Sequence, residues 1–138
     1  MTGTDTAAVR DSIRDLVAAY AHAADRGRFE ELTALFAPQG ILELDDGRRL
    51  VGRAAIDAFL RETRDGFQAR EAPPRLLRHH VSSHRIVVEG AHAAHGWAYF
   101  LVVTERGPDH WGRYRDAYVH TEQAWRFASR HVRVDGRA

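Results

Sequence analysis

Three imidazoles stand close together in RLLRHHVSSHRIVV, residues 75–88. They are His79, His80 and His84, set among strand-forming residues. An imidazole here can bind a metal, face water, or move protons inside a pocket. Side-chain alternation separates these roles. On a strand, Leu77, His79, Val81 and Ser83 share one face, while His80, Ser82 and His84 share the other. Neighbouring His79 and His80 thus point apart. His80 and His84 are about 13 Å apart at ~3.3 Å per residue, too far for two Zn–N bonds of about 2.1 Å. No His-x-His pair occurs, so no metal site is expected. His79 keeps company with Leu77 and Val81 and is expected to face inward. His80 and His84 are expected at the surface. Ile86 and Val88 fall on the wrong phase for this scheme, and a β-bulge near 83–85 reconciles them.

A second set lies in AAYAHAADRGRF, residues 18–29. Tyr20 falls on an apolar helix face, and a buried phenol needs a partner for its hydroxyl. Asp25 closes the same helix, where the dipole disfavours an anion. That setting suits a general acid or base. The local alternative is that Asp25 caps the next helix or binds Arg28. A third set is WGRYRDAYVH, residues 111–120. Tyr114, Asp116 and Tyr118 alternate on one strand face, as a polar cavity wall or a partner-covered sheet face would. Arg130 can clamp a carboxylate or enolate oxygen, or serve as an ordinary ion-paired residue.

What the chain lacks narrows the chemistry. Among 138 residues there is no Cys, and all 20 basic residues are Arg. Thiolate nucleophiles, disulfides and lysine Schiff bases are excluded. The formal net charge is +1, and the arginines are interspersed with acids rather than striped, so nucleic acid is not an expected partner. No apolar run approaches the ~18 residues of a membrane span. The first residues carry no secretory pattern, which points to a cytoplasmic protein.

The elements that must position these groups follow from periodicity. In TDTAAVRDSIRDLVAAYAHAAD, Ile13, Leu16, Val17, Tyr20 and Ala24 recur at helical spacing. Thr4 or Asp5 can cap its start, and Gly27 suits a left-handed stop. RFEELTALF reads as a second short helix ended by Pro38. GILELDD and the DDGRRLVG return read as a hairpin. RAAIDAFLRETRDGF reads as a third helix with Ile56, Phe59 and Leu60 inward. After the Pro73–Pro74 break, four strands are expected at about 75–89, 92–105, 109–122 and 125–135. The chain reads as one α+β domain over residues 1–138. A strongly curled, mostly antiparallel sheet with three helices from the first half leaves a cone-shaped cavity, a natural small-molecule site.

LVAAYAHAADRGRFEELTALFAPQGILEL, GRAAIDAFL, RHHVSSHRIVVEGAHAAHGWAYFLVV, GRYRDAYV and WRFASRHV resemble the SnoaL-like branch of the nuclear transport factor 2-like superfamily. The resemblance spans about residues 8–134. It implies the cone-shaped α+β fold just described. The superfamily includes scytalone dehydratase, bile-acid 7α-dehydratase, ketosteroid isomerase, polyketide cyclases and limonene-epoxide hydrolase. It also includes structural β subunits of ring-hydroxylating dioxygenases, so fold alone does not fix function.

The dehydratase-like members resemble this chain most. They pair a Tyr five residues before an Asp with a His on the first long strand, which implies catalytic roles for Tyr20, Asp25 and His79. Trp97 falls near the place of a further histidine in scytalone dehydratase, and Ser83 where the family often has Asn. Trp97, Tyr114, Asp116, Tyr118 and Arg130 are the substrate-binding candidates.

The implied chemistry is cofactor-independent dehydration, isomerisation or cyclisation of a hydrophobic oxygenated ring or polyketide-like molecule. His79 would take the proton, Asp25 would orient it, and Tyr20 would donate to the developing oxyanion. A non-catalytic binding or oxygenase-subunit role is the alternative. An epoxide hydrolase would need an Asp–Arg–Asp set that the sequence does not assemble. The outer face of strands 95–103 and 111–118 is expected to mediate a homodimer or homotrimer.

Overall fold

A computed structural model describes residues 5–138 of the chain. Helix α1, Thr6–Arg26, starts where the Asp5 carboxylate accepts from the Ala8 N–H at 3.0 Å. This satisfies one of the free donors of the first turn. Thr4, the other candidate cap, lies outside the described residues. Gly27 ends α1 with φ 66°, and its N–H and that of Arg28 return to the Ala24 and Ala23 carbonyls. The helix buries Ile13, Leu16, Val17 and Tyr20, each contributing about 1.5–3 kcal/mol of apolar transfer.

Helix α2 spans Phe29–Ala34 and strand β1 Phe36–Leu44. The helix therefore ends before Pro38, which is part of the strand. Pro38 is accommodated because the pairing of β1 with its neighbour is irregular between Phe36 and Ile41, and an interrupted ladder does not need its missing N–H. β2, Arg49–Val51, is the short return strand, and α3 runs Arg53–Gln68.

The second half is a meander: β3 Arg78–Val88, β4 Ala93–Thr104, β5 Gly107–Thr121 and β6 Ala124–Arg137. The last hairpin turns through Glu122 and Gln123, both at positive φ (51° and 65°), the backbone of a two-residue primed turn. The sheet order is β2-β1-β6-β5-β4-β3. Only β1 and β6 run parallel, and the sheet stays open, with β2 and β3 as edges. Helix α1 packs on β3 and β6, and α3 on β1 and β2. The inward residues of β4 and β5, from Ala94 to Val102 and from Tyr114 to Tyr118, complete the core. Among the described residues no helix is long and apolar enough to cross a membrane.

Two irregularities control which side chains face the helices. Between Ser82 and Arg85, β3 advances one residue more than β4 does. Ser83 adopts φ 52° there. In β6, Phe127 and Ser129 face consecutive residues of β5, Tyr118 and Ala117. Ala128 is the extra residue. Each is a one-residue bulge that shifts the alternation.

Candidate active site

The end of α1 meets the start of β3. The His79 ring Nδ1 lies 2.6 Å from Asp25 Oδ1, and the His79 backbone N–H donates to the same carboxylate at 3.0 and 3.2 Å. The carboxylate thus grips one residue twice, by main chain and ring. A carboxylate only accepts, so Nδ1 carries a proton, and in the neutral ring Nε2 is left with its lone pair. The two side chains are 11% and 16% exposed, sheltered but reachable. Asp25 does not bind Arg28, which pairs with Glu31 at 3.7 Å, nor does α2 have a side-chain cap.

A cleft of about 420 Å³ opens over this pair, between α1 and β3. That is a ligand-sized volume. Arg14, Ala18, Ala21 and Asp25 line it from the helix, and His79, Val81 and His84 from the strand. His80 is exposed and also reaches the cleft. Ala18, Ala21, Val17 and Val81 give it an apolar waist between polar ends.

His84 departs from expectation. Because of the bulge at Ser83 it turns to the helix side, where its Nε2 lies 3.0 Å from the Tyr118 hydroxyl. Tyr118 donates to Asp116 at 2.8 Å. Asp116 in turn receives two bonds from Arg130, Nε at 2.8 Å and Nη2 at 2.9 Å. Asp116 and Arg130 are directly opposed on β5 and β6, and both side chains are 0% exposed. Three rings surround the guanidinium, with centroids 3.6 Å (Tyr114), 4.3 Å (Tyr20) and 4.4 Å (Phe127) from its carbon. Its Nη1 has no hydrogen-bond partner among the described residues.

Burial opposes charge on Arg130, yet Asp116 outweighs it and holds the guanidinium above its ordinary pKa. Burial pushes the hydroxyls of Tyr20, Tyr114 and Tyr118 up, so all stay protonated. Burial pulls His84 below its ordinary value; Arg130 and Arg14 add to this, and Asp116 opposes it.

The remaining candidates fall elsewhere. Tyr20 points to the inner side of α1, against Phe36, Tyr114 and Phe127. Its hydroxyl makes no hydrogen bond to Asp25 or His79. Tyr114 is core, stacked on Phe100 at 4.7 Å. Trp97, expected at the substrate, is 44% exposed on the outer sheet face. There it lines a separate hollow of about 230 Å³ with Glu43, His95, Arg115 and His131. Its place is set by register, because Trp97 pairs with Arg85 and Arg115, all outward. Among the described residues no three His, Asp or Glu side chains are placed to hold a metal ion.

Residues 5–131 match the SnoaL-like domain. The chain belongs to the SnoaL-like family. Solved structures agree on the fold. A candidate scytalone dehydratase from Novosphingobium aromaticivorans is 23% identical with a TM-score of 0.82, covering 96% of this chain and 88% of that one. A nuclear transport factor 2-like protein with a cystatin-like fold from the same organism is 27% identical, TM-score 0.78, covering 94% and 84%. A protein of unknown function from Nostoc punctiforme, also with a cystatin-like fold, is 22% identical, TM-score 0.80, covering 98% and 96%. No curated protein matches this SnoaL-like chain.

Proposed function

We propose that this SnoaL-like protein is a cofactor-independent acid–base enzyme acting on a hydrophobic, oxygenated ring or polyketide-like small molecule. The observation that carries the reading is the Asp25–His79 contact of 2.6 Å at the floor of the cleft. His79 Nε2 takes a proton from the carbon next to a substrate carbonyl. Asp25 stabilises the imidazolium that forms and keeps the ring from turning. The same imidazolium returns its proton to a leaving hydroxyl in a dehydration, to a distant carbon in an isomerisation, or to an alkoxide in an aldol-type cyclisation. The apolar waist strengthens these interactions by excluding water.

Tyr20 enters this scheme as a donor only if its hydroxyl reaches the cleft. Tyr20→Phe tests that: an unchanged kcat assigns the phenol to the core. The main test is hydrogen–deuterium exchange in D2O at the carbon beside the carbonyl of 2-tetralone and related bicyclic ketones, followed by NMR. Exchange above the buffer rate, lost in His79→Ala, supports the reading. Full exchange in that variant sinks it.

We also propose that the outer sheet face pairs with a second copy. Trp97, Tyr99 and Trp111 are 44%, 57% and 38% exposed there. They stand among both acids and arginines, including the Arg113–Asp135 pair, the self-complementary mixture an isologous contact needs. Light scattering on the eluting protein should read twice 15.6 kDa, and Trp97→Arg/Tyr99→Arg should read a monomer. A monomeric parent protein refutes the pairing.

A further inference from the structure

The acid–base reading uses one end of the cleft. The other end holds a second histidine with a supporting chain of its own. Hydrogen-bond direction along that chain can be followed from its buried end. The Asp116 carboxylate only accepts, and it is filled by two Arg130 N–H groups and the Tyr118 hydroxyl. Tyr118 has a single proton, and that proton is committed to Asp116. Toward His84 the phenol oxygen can therefore only accept. The proton between them, across 3.0 Å, must belong to His84 Nε2. Burial favours the neutral ring, so Nδ1 is bare. Among the described residues no group bonds to Nδ1, and it is not sealed inside the protein, unlike Arg130 Nη1.

We propose that His84 is a specificity-determining residue of the cleft, fixed by Tyr118, Asp116 and Arg130 as the Nε2–H tautomer, whose bare Nδ1 accepts a hydrogen bond from a hydroxyl of the substrate. This rests on the cleft being the substrate site. It adds a chemical class: a rigid ring ketone that also carries a phenol or alcohol remote from the reacting carbon. The remoteness follows from the strand. His79 and His84 would be about 16 Å apart along a straight strand, a span the bulge shortens. Val81 lies between them on the cleft wall, and Ala18 and Ala21 face it from α1. A flat ring system fits such a waist, with its ketone end at His79 and its hydroxyl at His84. The ring at His84 is a positioning group and moves no proton in the reaction. Were it to serve as a base, the chain behind it offers no free acceptor to stabilise a new charge, because Asp116 already faces Arg130.

Long-range 1H–15N correlation on the 15N-labelled protein at pH 7.5 reads the tautomer directly. The expected result is a protonated Nε2 and an unprotonated Nδ1 on His84. A proton on Nδ1, or on both nitrogens, overturns the proposal. In Tyr118→Phe the accepting oxygen is gone, and a mixture of tautomers is expected; an unchanged spectrum overturns the supporting chain. The ligand arm compares 1-naphthol with its methyl ether, which has no O–H. Naphthol should shift His84 Nδ1 and the ether should not. His84→Ala should weaken naphthol binding on the order of fivefold, the worth of one neutral hydrogen bond, and leave the ether unaffected. Equal behaviour of the two compounds overturns the proposal. None of these readings depends on turnover. Failure of ketone exchange through His79 and failure of the His84 tautomer are therefore separate results.

Discussion

Replacing Asp116 with Ala should be among the most destabilising single changes in this chain. The carboxylate and Arg130 meet at 2.8 and 2.9 Å with neither side chain exposed. Removing the acid leaves a cation sealed in the core beside an already unpartnered Nη1. The three surrounding rings soften that loss but do not replace two charge-assisted bonds. Breaking a buried pair of this kind costs about 3–5 kcal/mol. For a domain of this size each kcal/mol moves Tm by about 4 °C, so a drop of about 12–20 °C is expected.

Removing both charges is a different perturbation. Asp116→Leu/Arg130→Met leaves no buried charge and keeps most of the volume, so it should recover more than half of the loss. Urea unfolding followed by tryptophan fluorescence measures Asp116→Ala, Asp116→Leu, Arg130→Met and the double variant, and the cycle formed by the last three with the parent isolates the coupling. A single-variant cost below about 1 kcal/mol, or a double variant as unstable as the sum of the singles, refutes the argument that an uncompensated charge sets the cost.

Asp25→Asn should leave the fold intact but remove the acid that orients His79, lowering kcat for ketone exchange on the order of 10–100-fold, the worth of a charge-assisted bond; equal kcat in the two proteins removes Asp25 from the mechanism. Stability should fall as pH drops through the ordinary histidine range. Burial holds both His84 and His110 below that range in the folded state, so the unfolded chain binds protons first and folding loses free energy on acidification. Thermal melts from pH 8 to pH 5 check this, and His84→Gln should flatten the slope. Gly112→Ala should unfold the sheet locally, because a Cβ there would sit 1.9 Å from the Arg133 carbonyl oxygen. Gly90→Ala, with nothing within 4 Å, should be silent; equal Tm values for the two variants contradict the packing described.

The sequence was most informative where periodicity is long and local. The amphipathic pattern and Gly27 placed α1, and turn residues placed the meander strands within a few positions. Asp25 and His79 were legible as candidates, but their pairing was expected only from the family resemblance, because the contact depends on how far α1 slides along β3. The Asp116–Arg130 pair was invisible because cross-strand register is a long-range property. Two residues fourteen positions apart carry no signature of facing each other. The outward Trp97 was misplaced for the same reason. His84 was misread by a subtler route. The bulge was inferred from Ile86 and Val88, but its consequence for the histidine inside it was not carried through. Pro38 misled in the opposite direction: its helix-breaking chemistry is real, yet the helix had already ended at Ala34.

The bulges at Ser83 and Ala128 do for side chains what a frameshift does for codons. An uninterrupted strand has two frames, and residues of opposite parity never meet on one face. Each inserted residue lets a strand change frame midway. His79 and His84 thereby reach one wall from opposite parities, as do Phe127 and Arg130 in the core. Deleting Ser83 would therefore remove the extra residue and make β3 regular. Ser82, His84 and Arg85 would then alternate regularly, with His84 still inward and Arg85 still paired outward with Trp97. The cleft's two histidines thus depend on the extra residue only while it is present: straightening β3 with Ser83 kept would turn one of them out, whereas deleting Ser83 would turn out neither.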